Sequence, residues 1–265
     1  SGINATDRSY VKDNKAVDLT KGTLVFTGLV SGETLDVNIP ATGTISDATV
    51  GTYNVTYSGV TLKDGTTGKA SNYKLVGALP TIAVEINQAT PTVSANDITV
   101  TYDGKAIPAD KITGTADVTG TWTWKDGMKV TEVADSGSKT VVFKPTDSTN
   151  YTEVEKTITV TINQATTTGT PGYTKITSSG KTLADAGLTL EGSTLNPKDG
   201  TLVWIDEDGK VLPNDTKVEA NKSYTWRFTP SGGNYTTLTG KIELYHKSGG
   251  YYYYPTDTGT GTKPS

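Results

Sequence analysis

The sequence predicts an all-β protein: three small antiparallel sandwich modules in tandem, forming an elongated array. Three observations carry that reading. A phrase is written twice, an alternating strand follows each copy, and turn signals recur about every ten residues. At Phe143 the chain reads FKPTDSTNY and at Phe228 it reads FTPSGGNY. Internal repetition of this kind fixes architecture before any local feature does.

The dipeptide that closes both phrases, Asn-Tyr, occurs at Asn150 and Tyr151, at Asn234 and Tyr235, and also at Asn72 and Tyr73. Each time a run with apolar residues at every second position follows: Ile82, Val84, Ile86; then Ile158, Val160, Ile162; then Ile242, Leu244. A period of two places one face of a strand in a core and the other in water. The first two runs end on the same letters, INQA. Upstream, GTWTWKDG from Gly120 aligns with GTLVWIDEDG from Gly200, which sets Trp124 on Trp204 and Trp122 on Leu202. SKTVVFKP aligns with KSYTWRFTP, setting Phe143 on Phe228 and Val141 on Trp226.

The expected division is 1–88, 89–164 and 165–247, with 248–265 as a linker tail. The boundaries fall at the stretches QATPT and QATTTGTPG, which read as short linkers. Five Asp-Gly pairs, beginning at Asp64, Asp103, Asp126, Asp199 and Asp208, punctuate the chain; this dipeptide supplies the positive φ angles of tight hairpins. Helical periodicity is nearly absent, with one turn at most in KTLADAGLTL (181–190). Threonine, 51 of 265 residues, is the commonest residue, and its branched side chain suits half-exposed strands.

Composition also excludes functions. The 24 basic and 28 acidic residues give a net charge of −4 without long runs, so no basic patch is present to neutralise phosphates, and nucleic acid is not an expected partner. No apolar run approaches the ~18 residues of a membrane span, so direct membrane insertion is not expected either. The chain has no cysteine and one histidine, too few ligands for a zinc site.

Modules two and three resemble the Ig-like repeats, of FxPxxxNY type, in large surface proteins of Gram-positive bacteria. The resemblance rests on TYDG (101–104), GTWTWKDG (120–127) and FKPTDSTNY (143–151). Module three keeps the middle and end motifs but reads GYTKITSSGKTL where TYDG would stand. Module one resembles the YDG-type repeat of bacterial adhesins, through SYVKDNKAVDL, TGLVSGETLDV, VGTYNVTYSGVTL and NYKL, with VKDNK in place of Tyr-Asp-Gly. The tail SGGYYYYPTDTGTGTKPS is similar to the spacers that precede wall anchors.

The resemblance implies a non-catalytic, cofactor-free extracellular region of a bacterial cell-surface adhesin, its anchor and signal peptide outside this stretch. It would act as a monomer, as stalk or as binding modules for a host or community macromolecule: a mucin or other glycoprotein, a matrix protein, an immunoglobulin or a polysaccharide. The alternative is a set of accessory or carbohydrate-binding modules of a secreted glycoside hydrolase or peptidase.

Candidate chemistry is sparse. His246 aligns with Ile162 at the end of a last strand, where no nucleophile and buried acid can flank it as a hydrolase requires. The acidic hairpin Asp206, Glu207, Asp208, Gly209 lacks the spaced ligands of a calcium loop and reads as a turn. Trp122, Trp124, Tyr224, Trp226 and Phe228 could form a sugar-stacking platform, but their apolar counterparts in the sister repeat favour core. The Asn-Tyr tyrosines are expected at a corner before the last strand, each hydroxyl bonded to nearby backbone. Core positions recur because each copy needs them, so ligand contact is expected on unshared surfaces. Those are the loop 63–72 of module one, with Lys63, Asp64 and Lys69, and the run Tyr251, Tyr252, Tyr253 and Tyr254 in the tail.

Overall fold

The computed structural model of the chain describes residues 2–249, so Tyr251, Tyr252, Tyr253 and Tyr254 lie outside the described residues. The described chain is all-β, tandem sandwich modules of short strands joined by turns, and its helical segments are 3₁₀ turns of three or four residues. The chain divides into two compact units. One takes the chain to Ile98 together with Ile107–Lys129 and Gly137–Val160; the other takes Thr99–Ala106, Val130–Ser136 and the chain from Thr161 onward.

In the first unit, Ala16–Lys21 pairs antiparallel with Ile3–Ala5 on one side and Thr42–Thr44 on the other. Ala83–Asn87 lies between Gly51–Asn54, antiparallel, and Arg8–Ser9, parallel. Leu35–Asn38 pairs with Thr61–Asp64. The alternation read in the sequence sends Val84 and Ile86 inward, and Val17 and Leu19 of Ala16–Lys21 alternate in the same way, all packing with Ile3, Ile45, Val55 and Ile82. Each such side chain removed from water stabilises by about 1.5–3 kcal/mol.

The same unit holds the antiparallel pair Gly120–Trp124 and Gly137–Pro145, with Trp122 opposite Phe143 and Gly120 opposite Pro145. In the second unit Gly200–Ile205 pairs with Ser223–Pro230 in the same register: Leu202 opposite Phe228 and Gly200 opposite Pro230. Leu238–Glu243 completes that sheet. The strand Ser223–Pro230 turns Tyr224, Trp226 and Phe228 into a cluster with Ile176, Leu183, Leu195, Trp204, Val218 and Leu244.

The Asp-Gly pairs divide by cause. Asp126 and Gly127 both take positive φ (53° and 67°), and Gly104 and Gly209 do so alone, at 76° and 79°. Gly65 and Gly200 do not, so at those two pairs the glycine does not serve a positive-φ turn. At Gly200 a glycine is required by proximity: an added Cβ would stand 2.6 Å from Phe228 Cε2 and 2.5 Å from the Thr229 carbonyl oxygen. Gly120 stands in the same relation to Phe143 Cζ and the Lys144 carbonyl oxygen, both at 2.5 Å. The helical turn read in 181–190 is Leu183–Ala186, its N-cap Thr182 facing Asp185 and its end marked by Gly187 in the left-handed region.

Candidate functional site

The most organised feature outside the cores is built twice from the same letters. In the first unit, the Tyr10 N–H donates to the carbonyl of Asn87 (2.8 Å), which fixes Tyr10 beside the end of the INQA strand. The two residues after Asn87 then run against the Asn-Tyr turn. Gln88 Nε2 donates to the Ser148 carbonyl (2.9 Å), Ala89 N–H to the Asn150 carbonyl (2.9 Å), and Thr152 N–H to the Ala89 carbonyl (3.0 Å). The buried Asn150 side chain turns back: its Oδ1 accepts from Val50 N–H (2.9 Å), while its Nδ2 donates to Asp147 (2.8 Å). The Tyr10 and Tyr151 rings meet edge to face, 5.4 Å apart at 86°.

The second unit repeats the backbone bonds and the ring contact, with different partners for the carboxamide Nδ2. Tyr102 N–H donates to the Asn163 carbonyl (2.9 Å), Ala165 N–H to the Asn234 carbonyl (2.9 Å), and Thr236 N–H to the Ala165 carbonyl (2.9 Å). Gln164 Nε2 donates to the Gly233 carbonyl (2.9 Å). Asn234 Oδ1 accepts from Val133 N–H (2.9 Å), and its Nδ2 donates to Glu132. Tyr102 and Tyr235 meet edge to face, 5.5 Å apart at 80°. Desolvation at these contacts raises the Tyr10 and Tyr102 phenols above their ordinary value of 10.0. Edge-to-face pairs stabilise by about 0.5–1.5 kcal/mol beyond area burial. Each clamp therefore joins two sequence repeats through backbone, carboxamide and ring contacts together.

Three sequence expectations change here. The stretches read as linkers are ordered, since Ala89 and Ala165 form parallel bridges with Tyr151 and Tyr235. The motif that the first repeat lacks as letters keeps its tyrosine: Tyr10 occupies the place of Tyr102, and a positive-φ residue follows each, Asp13 (φ 59°) three residues on and Gly104 (φ 76°) two residues on. The common tyrosine corner does not hold. Tyr151 and Tyr235 share an environment, but Tyr73 lies elsewhere, its hydroxyl accepting from Val30 N–H (3.0 Å) and donating to Glu33.

The other candidates sit as follows. Asp64 ends the strand Thr61–Asp64 and receives Lys69 Nζ (2.8 Å) and Ala70 N–H (2.9 Å). The Lys69 bond, then the Ala70 N–H, hold the Asp64 carboxyl below the usual range, and the same bond raises Lys69. Lys63 lies opposite Asp36 on the neighbouring strand. His246 is exposed, with Nδ1 2.7 Å from Glu243 Oε1. Asp206 Oδ1 accepts from the N–H groups of Asp208 (3.0 Å) and Lys210 (2.8 Å), a closed turn. Trp124, Tyr224, Trp226 and Phe228 are buried and Trp122 is half-buried against Phe143; they are core. Among the described residues no three His, Cys, Asp or Glu side chains gather to hold a metal, and no helix is long and apolar enough to cross a membrane.

The clamp is open to sequence reasoning only in part. Its strands and turns are visible there, but the Val50 and Val133 N–H groups that bind Asn150 and Asn234 carry no side-chain signature. Replacing Asn150 with alanine leaves the Val50 N–H without its acceptor, a loss of about 1–3 kcal/mol. We expect faster hydrogen exchange at Val50 in the Asn150→Ala protein and at Val133 in Asn234→Ala, each leaving the other clamp protected. Unchanged exchange at both sites would remove the clamp as a stabilising element.

No protein-family model matches the sequence, and no curated protein matches it in sequence. Among solved structures, the chain is similar to Drosophila N-cadherin EC1-4 at 8% identity and a TM-score of 0.28, covering 92% of this chain and 73% of that one. It is similar to Sidekick-1 immunoglobulin domains 1-5 at 11% identity and a TM-score of 0.28, covering 92% of this chain and 60% of that one. Domains 4-9 of the surface layer protein SbsC share 14% identity at a TM-score of 0.16, over 94% of this chain and 48% of that one.

Proposed function

We propose that this chain is a non-catalytic stretch of a bacterial cell-surface adhesin, in which three modules (1–88, 89–164 and 165–247) present a binding surface. The observation that supports the reading most is the clamp made twice from INQA and Asn-Tyr. Carboxamide and backbone bonds at each joint resist hinge motion, whereas unclamped modules on short polar linkers would move relative to each other by default. A stalk needs that resistance.

Contact with a mucin, matrix protein, immunoglobulin or polysaccharide is assigned to surfaces that the repeats do not share, with the 63–72 loop of the first repeat the principal one. The test is binding of the chain to immobilised mucin, immunoglobulin and polysaccharide. Loss of binding when 65–68 is shortened to a two-residue turn is the expected result. Binding that survives this change but disappears when exposed strand residues of the second repeat are altered would reassign the surface. Absence of binding to every panel member would overturn the adhesive role and leave a spacer.

A further inference from the structure

In the second repeat the strand Gly120–Trp124 is covered by the 3₁₀ turn Ala109–Lys111, and Trp124 Nε1 donates to the Ile107 carbonyl (2.9 Å). The third repeat approaches the same place with similar letters. GKAI at 104–107 aligns with GKTL at 180–183, both glycines take positive φ (76° and 82°), and each leads into a 3₁₀ turn. The turn of the third repeat, Leu183–Ala186, packs less closely on its strand, Gly200–Ile205. Main-chain bonds hold it to 213–218 instead: Leu183 N–H to the Thr216 carbonyl (3.0 Å), Ala184 N–H to Asn214 (2.9 Å), and Val218 N–H to Lys181 (2.9 Å). The buried Trp204 Nε1 is left without a partner among the described residues.

The space left is a cleft of about 560 Å³ whose walls include Leu183, Leu188, Leu212 and Pro213. Three consecutive strand residues, Leu202, Val203 and Trp204, also line it. Successive side chains point to opposite faces, so the strand meets the cleft along its edge. Gly200–Ile205 is the outer strand of its sheet. The Asp199 carbonyl turns inward to Ser231 N–H (3.0 Å), whereas the Trp204 carbonyl leaves the sheet to accept from Leu212 N–H (2.9 Å). Backbone groups of an antiparallel strand change sides residue by residue, so the Leu202 N–H and C=O also leave the sheet. Neither has a partner among the described residues, because the chain turns off this edge at Pro213, whose carbonyl accepts from Thr216 N–H (3.1 Å).

A donor and an acceptor side by side on a strand edge match a peptide backbone, which offers the reciprocal pair. The walls select its side chains. None of the residues lining the cleft is charged, and Asn214 brings the one carboxamide. A residue opposite Leu202 points its side chain to the same face as Leu202, where Leu183, Leu188 and Leu212 also pack. We propose that the edge at Leu202 binds an extended, uncharged peptide segment of a partner protein by strand addition, an apolar residue of that segment entering the cleft. This site is separate from the 63–72 loop and does not depend on it.

The probe is the blocked peptide acetyl-Thr-Thr-Leu-Thr-Thr-amide, uncharged and rich in a residue that favours the extended state, titrated into the full chain to millimolar concentration. A strand this short makes a small, weak interface, so binding is read from amide chemical shifts and hydrogen exchange. Saturable shifts at Leu202 and Leu188, with slowed exchange of the Leu202 N–H, are the expected result. The same peptide with its leucine N-methylated should bind about tenfold more weakly, since its donor to the Leu202 carbonyl is gone and its side chain is kept. Leu202→Pro removes the outward N–H from an outer strand, where proline is tolerated, and should abolish binding; exchange at Val203, which faces the neighbouring strand, reports whether the sheet survives. No saturable shift at Leu202, equal binding of the N-methylated peptide, or shifts confined to other strand edges or to 63–72 would each overturn the proposal.

Discussion

Replacing Phe228 with alanine is expected to cost about 3–5 kcal/mol, and Phe143→Ala about the same. Phe228 is fully enclosed and Phe143 nearly so. Each ring lies over a glycine on the neighbouring strand, Gly200 or Gly120, in matching register. Deleting the ring leaves a cavity that a sheet on one side and a packed cluster on the other cannot close. The glycines carry the complementary prediction. Gly200→Ala forces a Cβ into the ring and the Thr229 carbonyl oxygen, at a cost of about 1–3 kcal/mol. Part of that cost should vanish in the Phe228→Ala background, because one of the two obstacles is gone. A double-mutant cycle read by urea unfolding measures the coupling. Additive losses in both repeats would mean that ring and glycine do not pack as a pair.

These elements are legible in the sequence because period-two alternation and aligned copies both report burial. Val84, Ile86, Trp124, Trp204, Phe143 and Phe228 all enter cores as their positions imply. The clamp is less legible. Asn150 meets Val50 across a separation of 100 residues and Asn234 meets Val133 across 101, and the partner in each case is a peptide N–H. Tyr10 escapes sequence reasoning for a different reason. A motif sought as letters misses it, because the positive-φ residue after Tyr10 is Asp13, three residues on, and not a glycine. The role of Tyr73 does not follow from its neighbours, because Val30 and Glu33 reach it from 43 and 40 residues away.

Trp124→Ala and Trp204→Ala should each cost about 3–5 kcal/mol, yet phenylalanine should separate the two sites. The residues are equivalent by alignment and both are buried, at 8% and 3% exposure. Their surroundings differ in one bond. Trp124 Nε1 donates to the Ile107 carbonyl at 2.9 Å, whereas the buried Nε1 of Trp204 has no partner among the described residues. Trp204 instead lies edge-on to Tyr224, with ring centroids 6.4 Å apart. In Trp124→Phe the Ile107 carbonyl loses its donor inside the core, which adds about 1–3 kcal/mol to the loss of ring volume. In Trp204→Phe no bond is broken and an unsatisfied donor is removed, so only the volume term remains. Trp124→Phe should therefore be the more damaging of the pair, by more than about 1 kcal/mol on that scale. Local unfolding measured by amide exchange at Val141, opposite Trp124, and at Trp226, opposite Trp204, reads each site separately. Equal losses at the two sites, or a larger loss at Trp204, would show that the indole bond to Ile107 contributes nothing to the second repeat. The two copies would then differ for some other reason than the hydrogen bond that one keeps and the other lacks.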